Sequence, residues 1–152
     1  MRAAVLSVAL IGCAYRPGSF SHLRQDFPGQ RTTVGCVDVA VERRPDLTTG
    51  GTVLAYEFGN RCDRPATIDF AAVAVKARTF KGVDLDLDAF DPDFQIRPLQ
   101  LDGRSSGAEA IAYPADERLA EVCVDVASLT KQTPAKWLCF ASNLPPQLAE
   151  AP

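Results

Sequence analysis

The residues able to do chemistry are few, and most are cysteines. Cys13, Cys36, Cys62, Cys123 and Cys139 make five, an awkward odd number for a chain held by disulfides. No Cys-x-x-Cys occurs and His22 is the only histidine, so the spacing suits neither a zinc site nor a nucleophile activated by an imidazole base. The stretch Asp84-Leu85-Asp86-Leu87-Asp88-Ala89-Phe90-Asp91-Pro92-Asp93 is the most suggestive acidic cluster. Carboxylates at spacings of two and three could enclose Ca²⁺, a hard cation that takes oxygen ligands, with Asp84, Asp86, Asp88, Asp91 and Asp93 as candidates. The stretch is no EF-hand, because Ala89 stands where that loop needs glycine and Gln95 where it needs a bidentate glutamate. The alternative is an edge strand with Val83, Leu85 and Leu87 inward and the aspartates outward, blunting the edge. Asp38 and Asp125 occupy the same place in two copies of Cys-Val-Asp-Val-Ala, at 36–40 and 123–127. They could form a glycosidase-like carboxylate pair, but they lie opposite the valine face, which predicts solvent exposure. Neither a catalytic set nor a cofactor is expected.

Composition narrows the class. The chain has 152 residues, enough for one core, and 47% of them are hydrophobic. The net charge of −3 and the lack of a basic block argue against a nucleic-acid partner. There is no phosphate-cradling glycine loop, since Gly50-Gly51 reads as a turn between strands.

The amino terminus carries the most specific pattern. Met1-Arg2 precedes a run of mostly apolar residues ending Leu10-Ile11-Gly12-Cys13, too short to span a bilayer. This layout resembles the lipobox signal peptide of bacterial lipoproteins. The resemblance implies cleavage between Gly12 and Cys13, a diacylglyceryl group on the Cys13 thiol and acylation of the new amino group. Two or three acyl chains exceed the one-chain limit for stable anchoring. Ala14, rather than Asp, follows the cysteine, which in this family points to the outer membrane of a two-membrane host. An ordinary cleaved signal, or a buried strand of a cytosolic protein, is the alternative.

With Cys13 set aside for lipid, four cysteines remain, and an oxidising compartment allows two bridges. Glu121 to Val126 alternates as a strand, and Trp137 to Phe140 does the same. Folded as a hairpin, Val122 opposes Phe140, Val124 opposes Leu138 and Cys123 opposes Cys139, within disulfide reach. Cys36 and Cys62 are symmetric about the turn at 48–51 but differ in parity, which a bulge near Gly59 would reconcile. Cross-sheet bridges Cys36–Cys123 and Cys62–Cys139 remain an alternative.

These residues must be positioned by short strands. Strands are predicted over Thr33–Glu42, Thr52–Asn60, Ala66–Val75, Val83–Leu87, Gln95–Leu101, Gly107–Tyr113, Ala120–Ala127 and Lys136–Ala141. Helical turns are expected only at Ser21–Asp26 and Asp116–Ala120. The result is an all-β set of seven or eight short antiparallel strands that resembles an immunoglobulin-like sandwich. Pro114-Ala115-Asp116-Glu117 leading into Val122-Cys123-Val124 is similar to the corner before strand F of that superfold, although Glu121 replaces the corner tyrosine and Trp137 comes late. The expected organisation is a signal peptide at 1–12, a lipid-anchored tether at 13–32, the sandwich at 33–142 and a disordered tail at 143–152. The tether would hold the domain some tens of Å from the bilayer.

The functional expectation is a non-catalytic, lipid-anchored cell-envelope module that binds or supports an envelope protein or polysaccharide, facing the periplasm or the cell surface. A free sheet edge could accept a partner strand. The alternative is a small calcium-dependent ligand-binding or enzymatic protein using the Asp84–Asp93 stretch.

Overall fold

The computed structural model describes residues 14–17, 29–46, 48–90 and 96–142. Among the described residues ten strands form: β1 (Gln30–Val34), β2 (Val37–Pro45), β3 (Thr52–Asn60), β4 (Ala66–Ile68), β5 (Ala74–Thr79), β6 (Asp84–Leu87), β7 (Leu99–Leu101), β8 (Ser106–Tyr113), β9 (Leu119–Asp125) and β10 (Trp137–Ala141). The first sheet has the order β1-β2-β3-β8, the second β10-β9-β5-β6, and β4 pairs with β7 as a separate ribbon. All pairings are antiparallel. The β9–β10 hairpin beside β5, with β6 outside it, matches strands F, G, C and C′ of an immunoglobulin-like sandwich, while β2, β3 and β8 stand as A, B and E.

The strand count exceeds the expectation for two local reasons. Gly35, at φ +55°, turns the chain between Val34 and Val37 and splits the strand predicted over Thr33–Glu42. A 3-10 turn at Phe70–Ala72, capped by the Asp69 carboxylate accepting the Ala71 N–H, splits Ala66–Val75 into β4 and β5. The first ladder opens at Gln30, inside the segment expected as tether. Asp116 and Glu117 form a bend rather than a helical turn. The helical turn expected at 21–26 and the tail at 143–152 lie outside the described residues.

Period-2 alternation puts Val37, Val39, Val41, Leu54, Tyr56 and Phe58 of one sheet against Val75, Val122, Val124, Leu138 and Phe140 of the other. Tyr56, Phe58 and Phe70 form an aromatic cluster with ring centroids 5.5–5.9 Å apart. Arg43 crosses between the layers from β2. Its guanidinium donates to the carbonyls of Leu119 at 2.7 Å, Phe140 at 3.0 Å and Ala120 at 3.4 Å. The buried Asn60 side chain ties the loops at one end, donating to the Arg64 and Asp102 carbonyls and accepting the Cys62 N–H.

Two disulfides close. Cys123–Cys139 joins directly opposed residues of β9 and β10, and Cys36–Cys62 joins the turn before β2 to the loop after β3. No bulge at Gly59 is involved, because Gly59 stays in register between Asp38 and Ser106. Both cysteines of the second pair lie beyond the strand ends, where parity no longer binds them, and the Arg61 N–H donates to the Cys36 carbonyl at 2.7 Å.

The sheet edges are partly occupied. Along one flank Gln30 Nε2 of β1 donates to the Cys139 carbonyl of β10, and Lys136 Nζ donates to the Thr33 carbonyl at 3.0 Å. On the other flank the Phe90 N–H donates to the Ala112 carbonyl of β8 at 2.7 Å.

Candidate functional site

The outward face of the second sheet is where polar, aromatic and sulfur groups meet. Alternation sends Lys76 and Arg78 of β5, Asp84 and Asp86 of β6, Glu121 and Cys123 of β9, and Trp137 and Cys139 of β10 away from the core. Sheet order then makes them neighbours: Lys76 stands between Asp86 and Cys123, and Arg78 between Asp84 and Glu121. Together they line a depression of about 400 Å³. Trp137, 41% exposed, stands at one side of it. The Lys76 ammonium lies 5.8 Å from the indole centroid, within cation–π range.

The charges on this face nearly balance. Arg78 binds Asp84 through Nε at 2.7 Å and Nη2 at 3.2 Å. Hydrogen bonding from that guanidinium holds the Asp84 carboxyl below the ordinary carboxylate range. Lys76, Asp86 and Glu121 supply further donors and acceptors around an apolar floor of indole and disulfide. Such a surface can stack a ring and hydrogen-bond its substituents, with no strong steering of either anions or cations.

The structure separates most of the acidic candidates. Asp84 and Asp86 share the outward face of β6, and Asp88 is exposed beyond its end. Asp91 and Asp93, like Cys13 and His22, lie outside the described residues. Asp84 already has its guanidinium partner. Among the described residues the one group spaced to hold a metal is Glu121, Cys123 and Cys139, and its two sulfurs are bonded to each other. A single carboxylate remains there, too few ligands for a metal centre.

The carboxylate pair does not form. Asp38 lies on the first sheet and Asp125 on the second, and both are buried rather than solvent-facing. Asp38 accepts from the Thr33 hydroxyl at 2.6 Å and the Tyr15 hydroxyl at 2.5 Å. Asp125 Oδ1 accepts the Ala127 and Lys136 N–H groups at 3.1 and 2.7 Å, ordering the β9–β10 loop. Each repeat of Cys-Val-Asp-Val-Ala therefore uses its aspartate to satisfy donors that the fold brings to it.

The fold and this face define an all-β sandwich with an amphipathic concave sheet surface. No family model matches the sequence, and no curated protein matches it. Two solved structures from Bacillus subtilis are similar in part. One is a candidate lipoprotein, ycdA, at 13% identity and TM-score 0.47, covering 72% of this chain and 37% of that one. The other is the yjhA protein, at 9% identity and TM-score 0.44, covering 68% of this chain and 83% of that one.

Proposed function

We propose that this protein is a non-catalytic, lipid-anchored module of the cell envelope that binds a polysaccharide on the Trp137 face. The anchor reading is supported by Leu10-Ile11-Gly12-Cys13 after a short apolar run. The even set of four remaining cysteines, all engaged in disulfides, supports an oxidising compartment. The periplasm-facing outer membrane is the compartment that Ala14 favours.

The observation that carries the binding reading is Trp137, the chain's only tryptophan, held exposed on a concave face beside Lys76. A half-exposed indole beside a disulfide is an apolar platform that gains burial free energy when a ligand ring covers it. A sugar ring has an apolar C–H face for the indole and hydroxyls for Lys76, Asp86 and Glu121. Balanced charge favours such a neutral polyol over an ionic ligand. Recognition by strand addition is less favoured, since side chains and the Phe90 N–H already engage carbonyls on both flanks.

Titrating Trp137 fluorescence with oligomers of N-acetylglucosamine and with a neutral glucan tests the reading. A saturable change with one of them, lost in Glu121→Ala and in Lys76→Ala, is the expected result. No change with either glycan, or an unchanged response in both variants, overturns it. Intact-mass measurement of the mature chain checks the anchor: unmodified Cys13 removes it.

A further inference from the structure

Tyr15 lies two residues after Cys13 and is not part of a leash. It is 6% exposed and packs with Ala40 in a small cluster separate from the main core. Its hydroxyl donates to Asp38, and its N–H donates to the Arg104 carbonyl at 2.6 Å. Its ring fills the space above Gly59, where an added Cβ would fall 2.0 Å from the ring Cζ. Asp38 and Gly59 are directly opposed on β2 and β3, and Ala40 follows on the same outward face. A carboxylate beside two residues with almost no side chain makes a socket shaped for one phenol. Arg16, Arg61 and Arg104 are exposed around it, Arg61 3.8 Å from the Asp38 carboxylate and Arg104 bound to Asp63 at 2.9 Å.

We propose that Tyr15 is a latch that holds the acylated Cys13 against the outward face of β1-β2-β3-β8, so that this face lies on the bilayer and the Trp137 face points away from it. The inference rests on the reading that Cys13 carries lipid. Two residues span at most about 7 Å, so a seated Tyr15 brings the acyl chains to the socket itself instead of tens of Å away. The exposed Arg16 beside the latch then meets lipid phosphates, which attract basic groups. The outward faces of two packed sheets point in opposite directions, which sends Trp137 toward the aqueous side.

The full chain, processed from its own amino terminus, is incorporated into vesicles of phosphatidylethanolamine and phosphatidylglycerol. Flotation reports the lipid alone: a chain that does not float removes the anchor, and the membrane orientation falls with it. Among floating chains, a nitroxide on the lipid headgroup should leave Trp137 unquenched in the natural protein and quench it in Gly59→Ala, whose new methyl group displaces the Tyr15 ring. Equal quenching in both overturns the orientation. The socket is read separately, without vesicles, by chymotrypsin. Chains beginning at Arg16 should appear about tenfold faster or more in Gly59→Ala, given two hydrogen bonds lost with the seat. Equal rates overturn the latch. Tyr15→Ala, which alters no strand residue, repeats the quenching measurement if Gly59→Ala lowers the melting temperature.

Discussion

The hydroxyls of Tyr56 and Tyr113 lie 3.1 Å apart in the core, on rings that are fully buried. One hydroxyl donates and the other accepts, in a core from which both side chains are closed to solvent. Tyr56→Phe or Tyr113→Phe alone strands one buried hydroxyl and should cost about 1–3 kcal/mol, whereas the double variant should recover part of that loss. Urea unfolding of the two single variants and the double variant measures the coupling; strictly additive losses would show that the pair is not mutual.

The same pair sets an alkaline limit. Burial pushes Tyr113 up to about 12 and Tyr56 well above its ordinary value. A folded pKa above the unfolded value near 10 means the native state binds protons more tightly, so stability is full below about pH 10. It should fall as pH rises from about 10 through about 12. Absorbance at 295 nm should show these two phenolates appearing together with the loss of circular dichroism, and earlier ionisation of both in the folded state would contradict their burial.

Arg43 donates to carbonyls of two strands in the facing sheet. Arg43→Ala should cost about 2–3 kcal/mol, since charge-assisted hydrogen bonds are lost and their acceptors stranded. Arg43→Lys should recover less than half, because an ammonium cannot reproduce the planar fork. Chemical denaturation decides; full rescue by lysine would mean that charge alone matters.

Asp125 replaces a turn's worth of backbone pairing with one carboxylate oxygen. Asp125→Asn keeps an acceptor and should unfold within about 1 kcal/mol of the natural chain, while Asp125→Ala should lose about 1–3 kcal/mol. Hydrogen exchange at the Ala127 and Lys136 amides should quicken in the alanine variant only.

The two disulfides close sequence separations of 26 and 16 residues. Chain entropy assigns each about 3 kcal/mol, slightly more for Cys36–Cys62. Paired serine variants should therefore lower the melting temperature by similar amounts, read by calorimetry with the second bridge intact.

Much of the fold was legible because the strands obey one rule. Val122, Val124, Leu138 and Phe140 alternate cleanly, and the β9–β10 register in the structure is the one that alternation specifies. The turn at Gly35 was readable too, since the inward valines at 34 and 37 are three residues apart rather than two, but the flanking alternation hid that slip. The Trp137 face was not legible. It gathers residues from β5, β6, β9 and β10, and only sheet order says that Lys76 lies beside Cys123. The Tyr15 socket left one faint trace: Gly59 interrupts a strand where no turn or bulge follows. Burial of Asp38 and Asp125 was misread because alternation gives the face but not what loops and termini lay across it.

Along the flank where β1 meets β10, Gln30 and Lys136 use the outermost carbonyls as acceptors for their own side chains. Unclaimed strand borders invite copies of a chain to zip together edge to edge into fibrils. Gln30 and Lys136 occupy acceptors that such pairing along this flank would need, so the border that β1 and β10 share is closed from within the chain.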